Sequence, residues 1–263
     1  MPHIDDLYVE THGPEDGEAV VLSAGLGGSG AYWAPNLEAL ARRRRVVIYD
    51  HRGTARSDRR LGEDPSIEGM ADDVIAVLDG LGIEAAHLVG HALGGLIGLA
   101  LALKAPTRVK SIVAVNAWAT LEAHTARCFE MRLNLLRHSG IDAFIAATPI
   151  FLYPAAWTAA HAERLEAEAR HQRAAFPGVE TTETRIAAVA AFDTRARLGE
   201  IATPVLSLAA EDDILSPWAA AQALARGLPN GRFVSMARGG HACNVTEPEA
   251  FDRLVLDWLD EAR

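Results

Sequence analysis

Short apolar runs punctuate the first half of the chain, at residues 20–22, 46–49, 87–89 and 112–115. In each run successive positions are apolar instead of alternating with polar ones, so both faces of the strand must be covered. That pattern belongs to a parallel sheet held between two helix layers, with right-handed crossovers between strands. From Thr120 to Arg197 the pattern changes to an Ala-, Glu-, Arg- and Leu-rich tract without a strand signal, which predicts a helical insertion. Strand-like runs return at 204–208 and 232–235, and 251–258 has the spacing of an amphipathic helix. Thr246 and Glu249, three residues apart, predict a capping box at the start of that helix. The expected fold is α/β, a mostly parallel sheet flanked by helices. Its core comes from residues 1–118 and 198–263, with a helical cap at 119–197.

The 263 residues, 49% hydrophobic and 23% charged, suit one such domain. A formal net charge of -10 disfavours nucleic acid and anionic membrane surfaces as partners. The only basic block, Arg42 to Arg45, is expected to be a solvated helix end. Two cysteines, Cys128 and Cys243, form neither a disulfide framework nor a metal-ligand spacing, so no metal or cofactor is expected and a reducing cytoplasm fits. The acidic stretch at 1–10 lacks an apolar signal core, and the apolar stretch at 88–103 is broken by His91 and glycines, so no membrane span is expected. A small-molecule substrate is the expected partner, and the chain is expected to be a monomer or homodimer.

Three segments carry chemistry. Leu88-Val89-Gly90-His91-Ala92-Leu93-Gly94-Gly95 reads as a strand turning tightly into an apolar helix, with glycines where a nucleophile elbow excludes side chains. The central residue is Ala92, which has no lone pair and no acidic proton, so covalent catalysis at this position is excluded. The glycine-rich turn at 23–30 follows a buried strand, and the backbones of Leu26 and Leu93 are assigned as oxyanion donors. Asp213 and His241 each follow a later strand. The order elbow, acid, histidine is that of α/β-hydrolases. The expected dyad is therefore His241 oriented by Asp213, acting as general base on water. Cys243, two residues beyond His241, is expected to pack and not to react.

The whole chain resembles the α/β-hydrolase superfamily, including Asp50-His51-Arg52-Gly53-Thr54-Ala55-Arg56-Ser57 after the second clear strand, with Ala55 where a glycine is usual. More narrowly it resembles the RutD family of the bacterial pyrimidine-utilisation pathway, through the stretches GLGGSGAYW at 25–33, GHALG at 90–94, HTARCF at 124–129 and GGHACNVT at 239–246. The alanine elbow is part of that pattern. The resemblance implies a hydrolase of uracil-derived C–N intermediates, carbamate or 3-aminoacrylate. Gly25, His91, Asn116, Trp118, His124, Arg127 and Tyr153 are candidate substrate contacts. His124 and Arg127 would share one helix face and hold a small carboxylate, and Tyr153 and Trp157 would close the pocket. An esterase or lactonase in which water replaces serine, and a non-catalytic ligand-binding protein, are the alternative readings.

Overall fold

The computed structural model describes residues 3–262. Eight strands form one sheet: β1 (His3–Ile4), β2 (Leu7–His12), β3 (Glu18–Ser23), β4 (Arg44–Tyr49), β5 (Ala86–His91), β6 (Val109–Val115), β7 (Val205–Ala210) and β8 (Gly231–Met236). Their spatial order is β1-β2-β4-β3-β5-β6-β7-β8. All neighbours from β4 to β8 are parallel, whereas β1 and β2 run antiparallel at one edge. The pattern reading missed β1 and β2. In β2 buried Leu7 and Val9 alternate with less buried Tyr8 and Glu10, the signature of an edge strand covered on one face.

The helices are α1 (Ala34–Ala41), α2 (Ile67–Gly80), α3 (Leu93–Lys104), α4 (Ala123–Ser139), α5 (Ile141–Leu152), α6 (Ala155–Ala160), α7 (Ala162–Ala174), α8 (Val179–Ala191), α9 (Trp218–Gly227), α10 (Cys243–Thr246) and α11 (Pro248–Glu261). Helices α4 to α8 all lie between β6 and β7, where the insertion is expected. Alternate strand residues feed two cores. Val21, Ile112 and Ala114 join residues of α2, α3 and α9, whereas Val20, Leu22, Val113 and Val115 join Leu40, Phe251, Val255 and Trp258 of α1 and α11. Covering the sheet on both faces is what the unbroken apolar runs required.

Two local expectations are corrected. The Thr246 hydroxyl donates to the carbonyl of Gly239 at 2.7 Å, and α11 starts after Glu247 without a side-chain cap. Pro248 at the first helical position has no N–H to cap, and Thr246 is taken by the preceding turn. Within the basic block, Arg42 and Arg43 are exposed, but Arg44 is buried on β4, where its guanidinium pairs with Glu18 and Asp260. No helix among the described residues is long and apolar enough to cross a membrane.

Candidate active site

The parallel strands deliver their C-terminal ends to one edge of the sheet, where open α/β sheets place ligands. At the end of β5 the chain makes the elbow. Ala92 sits at φ 47°, ψ −107°, in the left-handed half of backbone space that L-residues avoid. Its N–H donates to the Val115 carbonyl at 2.8 Å, and its own carbonyl accepts the first helical bonds, from Gly95 and Leu96. The flanking glycines are sterically required. A Cβ on Gly90 would lie 2.2 Å from the Gly94 carbonyl oxygen, and one on Gly94 would lie 2.2 Å from that of Ser23. Leu93 is the first residue of α3, so its N–H has no intrahelical acceptor and stays available beside Ala92. Leu26 lies in the turn after β3, half-buried, and packs against the apolar cluster that holds Ala92 and Leu93.

Asp213 and His241 meet as expected. His241 Nδ1–H donates to Asp213 Oδ2 at 2.7 Å, and both side chains are buried. The other carboxylate oxygen accepts the N–H groups of Leu215 at 2.7 Å and Ser216 at 3.0 Å. Three donors thus fix the carboxylate, and the carboxylate fixes the imidazole tautomer with a free Nε2. Asp212, one residue earlier, instead accepts from the Gly240 N–H at 2.8 Å and so holds the loop that carries the histidine.

His91 and Asn116, expected to touch substrate, both bond to the backbone of His241. His91 Nε2–H and Asn116 Nδ2–H both donate to the His241 carbonyl, at 2.8 and 2.7 Å. Asn116, at φ 48°, also accepts from the Ala210 N–H at 3.1 Å, tying the ends of β6 and β7 to the histidine loop. Burial first, and then the neighbouring His241, keeps His91 well below the usual histidine range, so it stays neutral. Its ring lies 4.6 Å from that of His241 and 4.9 Å from that of Tyr32. Gly25 approaches so closely that an added Cβ would lie 2.8 Å from His91 Nδ1. Trp118 is buried in the core cluster with Ala92, Leu93 and Phe129.

The other expected substrate contacts fall elsewhere. The His124 imidazole bonds to the Ile214 carbonyl at 2.7 Å, next to the acid, with the Cys128 thiol 3.6 Å away. Arg127, like His124, is exposed. The Tyr153 ring packs at a tilt against Trp157, with centroids 4.5 Å apart, and its hydroxyl donates to Glu168 at 3.3 Å, while Trp157 stacks on His161. The cap nonetheless reaches the site, since the Leu152 carbonyl accepts from the Ala242 N–H at 2.9 Å. Cys243 is fully buried, and burial pushes its thiol up to about 12, which suits packing and not nucleophilic attack.

One arrangement escaped the sequence reading altogether. Arg185, on α8 of the cap, is buried at 1% exposure and donates from Nε to the Leu26 carbonyl at 3.1 Å and from Nη2 to His51 Nδ1 at 2.9 Å. His51 in turn meets Ser23 Oγ at 3.2 Å, and Ser23 meets the Tyr49 hydroxyl at 2.9 Å. An arginine can only donate, so His51 Nδ1 must be the acceptor and the ring is neutral. Burial, and after it Arg185, keeps His51 well below its ordinary range. Among the described residues no cluster of histidine, cysteine and carboxylates forms a metal site.

Residues 18–248 match the family model of the alpha/beta hydrolase fold. The chain is 52% identical over 254 residues to a protein of Variovorax paradoxus, covering 96% of each chain, and 47% identical to one of Agrobacterium fabrum, covering 96% of this chain and 98% of the other. Both relatives bear the provisional name carbamate hydrolase RutD. Among solved structures, an enol-lactonase from Burkholderia xenovorans superposes with a TM-score of 0.88 at 26% identity, covering 98% of both chains.

Proposed function

Because this chain belongs to the α/β-hydrolase fold family, and within it to the RutD group, we propose that it is a hydrolase of a small C–N substrate, carbamate or 3-aminoacrylate, that works without an acyl-enzyme. The observation that carries this reading is the buried Asp213–His241 pair, fully bonded, beside an elbow whose central residue is an alanine.

With carbamate, His241 Nε2 takes a proton from water while the water oxygen bonds to the carbamate carbon. The charge that develops on the carbamate oxygens is met by the N–H groups of Leu26 and Leu93. The C–N bond then breaks, the nitrogen leaves as ammonia with the proton returned by His241, and bicarbonate remains. Asp213 stabilises the imidazolium in between. General-base help of this kind contributes ~10²–10⁴-fold and one oxyanion donor ~10²–10³-fold, enough for a substrate that already decomposes unaided.

The test is the initial rate of ammonia release from freshly dissolved ammonium carbamate, and separately from 3-aminoacrylate generated in situ, with and without protein. Acceleration of either supports the reading and selects the substrate. No acceleration of either, with hydrolysis of aryl esters or lactones instead, assigns the site to ester chemistry. Tight ligand binding without any turnover assigns it to a sensor.

A further inference from the structure

Arg185 is anomalous as a charge. Arginines are rarely buried without a carboxylate partner, because desolvating the guanidinium costs several kcal/mol unless an anion offsets it. The chain carries 35 acidic residues against 25 basic ones, yet among the described residues no carboxylate hydrogen-bonds Arg185, and Asp73 acts on it only at a distance. Its two hydrogen bonds go to neutral acceptors, the Leu26 carbonyl and the His51 ring, and Nη1 is buried with no partner at all. Burial lowers the group only to about 10, so it remains cationic at neutral pH.

Its position is equally specific. Leu26 is the residue whose N–H is assigned to the developing oxyanion, and Arg185 grips that same residue by its carbonyl. Ile186 and Val189, on the same side of α8, pack in one apolar cluster with Ala92 and Leu93. The second buried arginine of the cap, Arg132, differs. Its guanidinium lies over the rings of Phe144 and Phe151, at 5.0 and 5.6 Å, and makes no contact with the glycine-rich turn.

We propose that Arg185 is the anion-recognising residue of this site, using its unpartnered Nη1 edge to hold the carboxylate group of a small anionic substrate against the Leu26 turn. The inference rests on the reading of the sheet edge at Ala92 as the substrate site, and it puts Arg185 in place of exposed Arg127 as the carboxylate partner. It also restricts the substrate class. Small carboxylates are accepted, and neutral amides or esters of the same shape are penalised, because they leave the buried guanidinium edge unpaired.

Binding separates this claim from the chemistry. Acetate has the shape of carbamate and cannot react, and acetamide is its neutral counterpart; acrylate and acrylamide form a second pair. By calorimetry or competition, the wild-type protein should prefer each anion over its amide by roughly 10–100-fold, the range of a desolvated charge-assisted hydrogen bond. Arg185→Gln should reduce both ratios to within about twofold, while the exposed control Arg170→Gln leaves them unchanged. In the wild type, acetate and not acetamide should shift the Arg185 side-chain N–H resonances, a readout that survives even if Arg185→Gln does not fold. Equal wild-type affinity for anion and amide, or a folded Arg185→Gln that keeps the preference, would overturn the proposal. Carbamate turnover that fails while anion preference persists defeats the proposed reaction and leaves Arg185 in place; the opposite pair of results does the reverse.

Discussion

Replacing Asp213 by asparagine changes one atom and should remove the base. In the native site Oδ1 accepts two backbone N–H groups and Oδ2 accepts from His241 Nδ1. In Asp213→Asn the amide oxygen must stay on the two backbone donors, since an NH₂ there would face them donor to donor. The NH₂ group is then turned to His241 Nδ1, which can only accept from it. The proton moves to Nε2, and the nitrogen that should take a proton from water now carries one. The rate should therefore lose the whole general-base contribution, ~10²–10⁴-fold. Stability should change less. One charged acceptor becomes neutral while every hydrogen bond keeps a partner, a loss of about 1–2 kcal/mol, or roughly 2–8 °C in Tm for a chain of this size. The assay pairs ammonia release with a thermal melt of the same preparation. A variant that melts close to the wild type yet turns over within threefold of it would refute the tautomer argument and, with it, the role assigned to Asp213.

Three further outcomes follow from the geometry. Ala92→Ser restores a hydroxyl at an elbow already held in the strained conformation, and it should gain measurable hydrolysis of aryl esters; no gain in a folded variant would show that His241 is not aimed at this position. Ala55 lies at φ 44°, where an alanine is strained by about 1–2 kcal/mol and a glycine is not, so Ala55→Gly should raise the denaturant midpoint modestly, after the entropic cost of glycine. Burial pushes Asp252 up to about 6, although it accepts a hydrogen bond from Asn36 at 2.8 Å. The folded state therefore holds this proton more tightly than the unfolded chain. This residue's contribution is retained at low pH and lost as pH rises from about 4 through about 6. Asp252→Asn, which stays neutral, should match the wild type near pH 4 and exceed it by about 1–2 kcal/mol above pH 7; a gap that does not widen with pH would contradict the assignment.

The sequence reading captured what lies in strands and in the turns directly after them. The runs at 20–22, 46–49, 87–89 and 112–115 are apolar because both sheet faces are covered; the glycine-rich turn follows the first and the elbow the third, Asp213 and His241 follow the later runs at 204–208 and 232–235, and parallel topology brings all four to one edge. Partnering was not legible. His91 and Asn116 look like polar residues facing a ligand, but a backbone carbonyl 125 to 150 positions away takes their hydrogen bonds. Arg44 and Arg185 were hidden by their charge, since a hydrophobic pattern treats any arginine as a solvated position. A signal was present all the same. Thr182, Arg185, Ile186 and Val189 are the buried residues of α8, and their spacing of three, four and seven places Arg185 on the apolar stripe. Arg132 follows the same logic between Phe129 and Leu136 on α4. An arginine in register with an apolar helix stripe marks a buried cation, whose partner the pattern alone does not identify.

The central claim is that an alanine-elbow hydrolase works through His241 and water. The most direct measurement is the initial rate of ammonia release from freshly dissolved carbamate with wild-type protein, with His241→Ala and with no protein, all at one pH and temperature. The account predicts acceleration by the wild type and a His241→Ala rate indistinguishable from the protein-free reaction. Equal acceleration by wild type and a folded His241→Ala would contradict it.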